Sequence, residues 1–418
     1  MFALIGLSAN AQWETVYYPN TNFLLPWLNA VAFHDFNNGF AVGRDDDGHG
    51  YNSRILKTTD NGTHWDTVYS AADTLAFSDV TFTNDTTAFA VAHREYCCSD
   101  TGLIAKTSDF GLTWTITPSH VGLNSISFPS ANIGYTVGNS GTILKTIDAG
   151  TTWNPLNSGI SVGLQSIYFI NDTIGFACGG DTIMKTTNGG ISWVIQSIMS
   201  YMGANKIYFP TDSVGYCKTI GCGDTIKFYK TVDQGNTWNL QSINTTTNCT
   251  ESMFFTDKNT GYYVGQFYMG QTIDGGTTWI QQSSTAPSIG NSFYDNLMDV
   301  FMLNKDTGFA VGESQFYRTI IDGTTGIDKI FSQNNNILIY PNPVSNSMTI
   351  NYNLSSSSNV LINVYDMLGN KIKEIANDRE TSGQHSINWN ASDVPQGIYL
   401  LQVIVDNKIL NEKITVMK

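Results

Sequence analysis

The sequence is poor in charge, and what it lacks excludes several kinds of site and partner. Only 13% of its 418 residues are charged, and 35 Asp and Glu outnumber 21 Lys and Arg. The net charge of −14 argues against binding to nucleic acid or anionic lipid, because both need a basic surface. The six histidines are scattered without metal-ligand spacing, so we predict no metal site, and we assign no cofactor. Beyond the N-terminus no apolar run approaches the length of a membrane-spanning helix, so we predict no integral membrane span.

Helix formers are also scarce, whereas Thr, Asn, Ser, Gly and aromatic residues are abundant. Apolar residues occur in short runs between turn-forming clusters, a pattern typical of strands. We therefore predict an all-β protein. Its length allows two or three domains with a large buried core.

The first residues, MFALIGLSANAQ, predict a signal peptide over residues 1–11. Phe2–Leu7 is apolar, and the small-x-small sequence that ends at Ala11 predicts cleavage before Gln12. The positively charged start of a signal peptide is missing. Two interpretations stay open: the true initiator methionine lies upstream, or the apolar start is accidental.

A hexapeptide of the form Asp-x-Gly-x-Thr-Trp recurs along the chain at intervals of roughly 40 to 50 residues. Its six copies are Asp60–Trp65, Asp109–Trp114, Asp148–Trp153, Asn188–Trp193, Asp233–Trp238 and Asp274–Trp279. Three predicted strands precede each copy, and its Trp begins a fourth. Four short strands per repeat are typical of a β-propeller blade. With a degraded seventh copy that begins at Asp322, the pattern predicts a seven-bladed propeller over residues 12–328.

The seventh copy has no Trp and no fourth strand after it. The sequence that begins at Trp13, WETVY, matches WDTVY at Trp65. We therefore expect the N-terminal strand to complete the last blade, with Trp13 closing the ring and removing two exposed sheet edges.

The hexapeptide itself is predicted to be structural. Asp or Asn accepts backbone N–H groups in the turn, Gly tolerates a positive φ, and Trp fills the gap between blades. The structural positions are Asp60, Trp65, Asp109, Trp114, Asp148, Trp153, Asn188, Trp193, Asp233, Trp238, Asp274 and Trp279. The motif resembles the Asp-box (BNR-like) repeats of bacterial neuraminidases, xyloglucanases and sortilin-type propellers. The longer phrase Gly39–Trp65 is most similar to the propellers of the photosystem II assembly-factor family, which implies the fold but no single function.

No catalytic residue is identified. A neuraminidase needs an arginine cluster, and residues 12–328 hold only Arg44, Arg54, Arg94 and Arg318. A glycosidase needs two carboxylates across the scissile bond, and nothing in the sequence pairs them.

The predicted ligand-binding face is the one opposite the hexapeptides, where the loops vary most in length. Aromatic side chains there would stack on sugars or anchor a protein, although each could instead pack its own loop. The candidates are Trp27, Arg44, Arg94, Tyr96, Tyr201, Phe267, Tyr294 and Glu313. The chain has six cysteines, and Cys217 and Cys222, which flank one loop, are the preferred disulfide pair.

Composition changes after the propeller. Residues 329–338 are predicted as a linker and residues 339–418 as a small Ig-like β-sandwich with alternating apolar residues. The segment resembles the type A C-terminal sorting domain of the type IX secretion system. The matching residues are Tyr340, Pro341, Asn342, Pro343, Gly369, Gly397 and Tyr399. The resemblance implies export from a Gram-negative bacterium, with the secretion machinery and its sortase as partners.

The sequence therefore predicts a secreted or surface-attached propeller that binds a glycan or protein ligand. One alternative is a glycoside hydrolase or lyase that acts on extracellular polysaccharide. Another is a non-catalytic structural or adhesion component of the cell surface.

Overall fold

This computed structural model is nearly all β-strand, and it divides into two compact units, Met1–Gly323 and Thr324–Lys418. Each unit is described by itself. The residues that the structure describes are 13–15, 27–46, 51–94, 101–198, 203–219, 226–243, 250–265, 268–282, 296–305, 307–313, 315–320, 338–340, 344, 347–354, 356–366, 370–405 and 408–416. The predicted linker lies outside them except for Leu338, and the domain boundaries stay predictions.

In the first unit, the described residues form 28 strands in seven four-stranded antiparallel sheets. Sheets one to three are β2 Trp27–Phe33, β3 Gly39–Asp46, β4 Tyr51–Thr58, β5 Asp66–Ala71; β6 Ala76–Phe82, β7 Ala88–His93, β8 Gly102–Thr107, β9 Thr115–Ser119; and β10 Leu123–Ser127, β11 Gly134–Gly138, β12 Ile143–Thr146, β13 Asn154–Leu156. A 3₁₀ turn, Asn139–Gly141, precedes β12.

The remaining sheets repeat the same order of strands. Sheets four to six are β14 Ser166–Phe169, β15 Gly175–Gly179, β16 Thr182–Thr186, β17 Val194–Ile198; β18 Ala204–Tyr208, β19 Gly215–Thr219, β20 Ile226–Thr231, β21 Asn239–Ile243; and β22 Thr250–Phe255, β23 Gly261–Gly265, β24 Tyr268–Thr272, β25 Ile280–Gln282. Sheet seven joins β26 Leu297–Met302, β27 Thr307–Gly312 and β28 Gln315–Ile320 to β1 Trp13–Thr15.

The innermost strand of each sheet, which is the first of its four in sheets one to six and β26 in sheet seven, contacts the innermost strands of two other sheets. Going round, β2 contacts β6, and the contacts continue through β10, β14, β18 and β22 to β26, which contacts β2 again. The sheets therefore follow one another in a ring, as in a propeller.

The N-terminal strand lies in the last sheet, as the sequence comparison predicts. β1 pairs antiparallel with β28, and Trp13 lies opposite Thr319. The Trp13 side chain is fully buried and meets the Tyr262 ring edge to face at 6.4 Å between centroids. The first and last parts of the unit are thus joined through one sheet.

Each hexapeptide forms the same hydrogen-bonded turn, and the second copy shows the pattern. Thr107 Oγ1 donates to Asp109 Oδ1 at 2.8 Å and accepts from the Gly111 N–H at 2.8 Å. Asp109 Oδ1 also accepts the Thr113 N–H at 2.9 Å. The same three bonds recur in the other five copies, including the one that begins with Asn188. The first residue of the motif therefore stabilises the turn.

The hexapeptide also packs against the preceding sheet. Gly111 has a φ of +79°, and a Cβ there would come within 2.9 Å of the Phe40 ring. Trp114 meets the same ring edge to face at 5.4 Å. Glycine and tryptophan are required at these positions because the turn lies directly on an aromatic side chain of the neighbouring sheet.

A lysine before each of the first five hexapeptides extends this contact to the next sheet, whereas Gln271 occupies that position before the sixth. Lys57 Nζ donates to the Phe110 carbonyl at 2.7 Å, and four later lysines repeat the bond. In the seventh sheet Arg318 occupies this position and donates to the Asn61 carbonyl at 2.9 Å. The contact between the last and first sheets therefore resembles the five that the lysines make.

The second unit is a two-layer β-sandwich. One sheet has the order β29-β30-β33 and the other β32-β31-β34-β35. The strands are β29 Leu338–Tyr340, β30 Ser347–Leu354, β31 Ser358–Asp366, β32 Lys371–Glu380, β33 Gly383–Asn390, β34 Gly397–Val405 and β35 Lys408–Val416. One hydrophobic core takes residues from both sheets, including Trp389 from the first and Leu401 from the second.

Candidate functional site

A polar cavity of about 330 Å³ lies inside the ring of innermost strands, and we call it the axial pocket. The innermost strands of all seven sheets, or the residues just before them, contribute to its wall. The second sheet also contributes His93 from the end of β7. The lining residues are Asn29, Ser78, Asp79, His93, Asn124, Ser125, Gln165, Ser166, Asn205, Lys206, Glu251, Ser252, Met298 and Asp299. None of them is Phe, Tyr or Trp, and 13 of the 14 have a polar side chain.

The local sequence explains why polar side chains face this cavity. Near the start of each innermost strand lies a quartet whose outer members are mostly apolar and whose middle pair is mostly polar. The quartets are LNAV from Leu28, FSDV from Phe77, LNSI from Leu123, LQSI from Leu164, ANKI from Ala204, TESM from Thr250 and LMDV from Leu297. In six of the sheets as described, the register shifts at the first middle residue, which makes a β-bulge. A bulge re-aims neighbouring side chains, so both middle residues can reach the cavity.

The pocket lies at the end of the ring opposite the hexapeptides. Its lining residues occur where the innermost strands begin, and His93 is where β7 ends. Because strands alternate in direction, the hexapeptides between third and fourth strands fall at the other end. This is the face on which the sequence places ligand binding.

The first middle residues connect neighbouring sheets through backbone carbonyls. Asn29 Nδ2 donates to the Phe77 carbonyl at 2.8 Å. Ser78 Oγ donates to Leu123 O at 2.7 Å, and Asn124 Nδ2 to Leu164 O at 2.8 Å. In sheets one to three these side chains therefore form part of the wall, and their N–H or O–H groups donate to the backbone of the neighbouring sheet.

Two carboxylates at the second middle position are also held by the wall. Asp299 accepts from the Val31 N–H at 3.1 Å, from Ser252 Oγ at 2.6 Å and from Lys206 Nζ at 3.3 Å. Asp79 Oδ2 accepts from Ser125 Oγ at 2.8 Å and from the backbone of the same quartet at 2.9 Å. Both groups stabilise the contact between neighbouring sheets.

Burial and these charges shift the protonation of the site. Burial raises the pKa of Asp79, and the nearby Lys206 only partly offsets this. Burial acts to lower the pKa of Lys206, but the carboxylates of Asp299 and Asp79 outweigh it and raise that pKa. Behind the wall, burial lowers the pKa of the fully buried Lys218 to about 8, against the attraction of Glu251.

Two acceptors in the pocket have no hydrogen-bond partner among the described residues. The Oδ1 atom of Asn205 is buried and unsatisfied. Glu251, in the equivalent position on the neighbouring innermost strand, is half-buried, and its carboxylate attracts the ammonium of Lys218. A buried polar group without a partner is costly, so these acceptors suit a ligand that brings donors.

Within the described ranges, no three His, Cys, Asp or Glu side chains come together in a way that would hold a metal ion. No helix in the described part of the chain is long and apolar enough to cross a membrane.

Four of the eight predicted ligand-binding residues are described, and none lines the axial pocket. Arg44 is buried, with its guanidinium 4.6 Å from the centre of the Trp27 ring. Trp27 also forms a backbone bridge with Glu313, and Arg94 donates to Thr74 Oγ1 at 2.8 Å. These contacts hold the strand ends and loop at the rim, and a ligand role for these residues stays a prediction. Tyr96, Tyr201, Phe267 and Tyr294 lie outside the described residues, as do Ala11 and Gln12 of the predicted cleavage site.

The predicted Cys217–Cys222 disulfide is wrong for this structure. Cys217 is a free, fully buried thiol, because the residue lies inside β19 and its side chain points into a hydrophobic core. Its neighbour there is Cys178 of β15, also a free thiol, and the two side chains hydrogen-bond. Cys222 lies outside the described residues.

The pocket residues were missed in the sequence because each quartet by itself looks like an ordinary strand start. The signal that would have found them is the repeat. Aligning the seven quartets places a polar or small residue at both middle positions in every sheet except at Met298.

In the sandwich, Tyr399 is buried on β34 and donates from its hydroxyl to Pro395 O at 2.9 Å, two residues before Gly397. Tyr340 ends β29. Pro341, Asn342, Pro343 and Gly369 lie outside the described residues. Residues 338–417 match the family model described as a secretion system C-terminal sorting domain. The protein is exported. Its type IX sorting domain indicates a protein that is secreted or attached to the outer surface of a Gram-negative bacterium.

Solved structures similar to this exported protein are propellers with different activities. YCF48 bound to D1 peptide is 18% identical with a TM-score of 0.57, over 76% of this chain and 96% of that one. The GH74 xyloglucanase from Xanthomonas campestris is 10% identical with a TM-score of 0.57, over 96% and 68%. The extracellular domain of a hybrid two-component system from B. thetaiotaomicron is 11% identical with a TM-score of 0.55, over 96% and 59%. No curated protein matches the chain. At these identities the likeness shows the fold alone.

Proposed function

We propose that this exported propeller binds an extracellular glycan or protein ligand in the axial pocket. The observation that supports the proposal is the pocket itself, because all seven sheets present side chains to one cavity. Its volume of about 330 Å³ is at the small end of the range for ligand sites. It faces the end of the ring where the loops vary most, as binding sites on rigid scaffolds commonly do.

The fold gives the proposal some context. One similar structure is named for a peptide that it binds and another for hydrolysis of xyloglucan. The same architecture therefore accommodates a peptide ligand in one protein and a polysaccharide substrate in another. The fold does not distinguish these ligand classes, so the side chains of this chain's own pocket are the basis for the choice.

Binding is favoured over hydrolysis by how the carboxylates are used. Three of them, Asp79, Glu251 and Asp299, line the pocket, which is why a glycoside hydrolase or lyase is the second candidate. However, Asp79 and Asp299 both accept hydrogen bonds from backbone N–H groups and serine hydroxyls of the wall. Glu251 makes no hydrogen bond to a described residue. A single uncommitted carboxylate suits recognition better than two-carboxylate catalysis.

The test is retention of the purified full-length chain on extracellular polysaccharides and on outer-surface proteins, with release of reducing ends measured in parallel. The variant Gln165→Trp fills the pocket from an exposed position of its wall. The matched control, Leu240→Trp, adds the same side chain at an exposed position on the outer strand β21.

We expect retention that Gln165→Trp abolishes and Leu240→Trp preserves. Release of reducing ends that depends on Glu251 would instead establish the hydrolase. Retention unaffected by Gln165→Trp would show that the ligand binds elsewhere, and no retention on any surface would favour the structural component.

A further inference from the structure

Five of the serine and asparagine side chains that line the axial pocket donate hydrogen bonds within its wall. Asn29, Ser78 and Asn124 donate to backbone carbonyls of neighbouring sheets. Ser125 and Ser252 donate to the carboxylates of the wall. Two of the groups without a hydrogen-bond partner among the described residues are acceptors, namely the carboxylate of Glu251 and the buried Oδ1 of Asn205. A ligand with N–H or O–H donors would satisfy both.

The charges of the lining residues also favour a ligand with a positive charge. Three carboxylates line it, and Lys206 is the one lysine among the lining residues. Lys206 is already paired with Asp299 at 3.3 Å. Lys218 is fully buried and is not among the lining residues, and its ammonium, which attracts Glu251, contacts the Thr219 carbonyl at 3.3 Å.

The two free acceptors are on neighbouring strands of the ring. Asn205 on β18 and Glu251 on β22 occupy the same position of their quartets, and β18 contacts β22. A planar guanidinium group and an ammonium group with three N–H donors each donate several hydrogen bonds at once. Both also carry a positive charge, which would pair with the carboxylates of the pocket.

A sugar ring fits this wall less well. Sugar-binding sites commonly present an aromatic platform, and none of the lining residues is Phe, Tyr or Trp. A neutral sugar also carries no charge to pair with the three carboxylates of the pocket. A polar pocket with a carboxylate that accepts no hydrogen bond from a described residue suits the charged end of a basic side chain better.

Building on the proposed binding function, we propose that the axial pocket holds the ammonium or guanidinium group of a lysine or arginine side chain from an extracellular peptide or protein. The Glu251 carboxylate accepts the charged group and Asn205 Oδ1 accepts a further N–H. The remainder of the ligand then lies across the variable loops at the mouth of the pocket.

The experiment titrates the full-length chain with N-acetyl-lysine N-methylamide and N-acetyl-arginine N-methylamide by ligand-observed NMR. N-acetyl-norleucine N-methylamide, which keeps the stem but lacks the charge, is the matched probe. Glucosamine tests an amino sugar as the source of the same ammonium chemistry. Binding is expected for the lysine or arginine amide and should be at least about tenfold weaker for the norleucine amide.

Two variants locate the site. Glu251→Gln removes the charge with little change in shape and should weaken binding by about tenfold or more. Asn205→Asp adds a second carboxylate and should tighten it, which keeps the proposal testable if Glu251→Gln folds poorly. Asp212→Asn, at an exposed turn on the opposite end of sheet five, is the control and should change nothing.

Equal binding of the lysine and norleucine amides, or unchanged affinity in Glu251→Gln, would overturn the inference. Glucosamine binding that matches the lysine amide and depends on Glu251 would overturn the peptide source. Loss of retention in Gln165→Trp without any binding of basic amides would leave the proposed function standing and remove this inference alone.

Discussion

The backbone N–H of Val31 donates to Asp299 Oδ2 at 3.1 Å, a bond between residues 268 positions apart. Val31 follows the quartet's middle pair in the first sheet, and Asp299 belongs to that pair in the last sheet. Ser166 and Ile207 make the equivalent bond between sheets four and five, at 3.2 Å. The contact between sheets one and seven therefore repeats the contact between sheets four and five, except that its acceptor is the carboxylate of Asp299 and not a serine hydroxyl.

Removal of this carboxylate should destabilise the propeller. Asp299→Ala leaves the Val31 N–H, the Ser252 hydroxyl and a lysine without their acceptor, and we expect a loss of about 3 kcal/mol in the free energy of unfolding. Urea unfolding followed by tryptophan fluorescence measures it. Asp212→Ala, at an exposed position, should stay within about 0.5 kcal/mol of the wild type. A similar small change in Asp299→Ala would mean that the bond contributes little to joining the sheets.

The N-terminal strand should contribute as much to the free energy of unfolding as a core strand does. Trp13 is fully buried in the last sheet, so Trp13→Ala should cost on the order of 3–5 kcal/mol if that strand closes the ring. Leu112→Ala, on a side chain that is 79% exposed, is the comparison and should be nearly neutral. A loss below about 1 kcal/mol for Trp13→Ala would refute closure by the N-terminal strand.

The hexapeptide turns should make stability fall in acid. Hydrogen bonds from Thr113 lower the pKa of Asp109 to about 2, and equivalent bonds lower those of Asp148 and Asp233 to about 2. Because the folded-state pKa lies below the ordinary value of 3.8, this stabilisation is complete above about pH 4 and is lost as the pH falls towards 2.

The fourth hexapeptide provides the control for this effect, since Asn188 makes the same turn without a titratable group. The triple variant Asp109→Asn, Asp148→Asn, Asp233→Asn should fold and show a shallower fall in unfolding free energy between pH 4 and pH 2. An unchanged pH profile would assign the acid sensitivity to other carboxylates.

Cys178 and Cys217 should both be found as thiols. Each is fully buried, so neither should react with iodoacetamide in the native protein, and both should react after denaturation without reductant. Peptide mapping by mass spectrometry distinguishes the two sites. A peptide that links Cys217 to Cys222 would restore the disulfide predicted from the sequence.

The local structure could be predicted from the sequence because the information repeats within a few residues. The spacing of the hexapeptides indicated four strands per unit, and the match of Trp13 to Trp65 placed the N-terminal strand beside the last sheet. The Tyr399 region likewise identified the sorting domain. In each case neighbouring residues in the chain determine turns, alternation and strand length.

The axial pocket was decided by the tertiary structure alone. Asn205 and Glu251 are 46 residues apart in numbering and meet in one wall only because the ring brings innermost strands together and bulges turn their side chains inward. The same holds for Arg44, a predicted ligand-binding residue that the fold buries against Trp27. The sequence specified the repeated sheet, whereas the shared environment of seven distant segments arose only when those sheets packed around one axis.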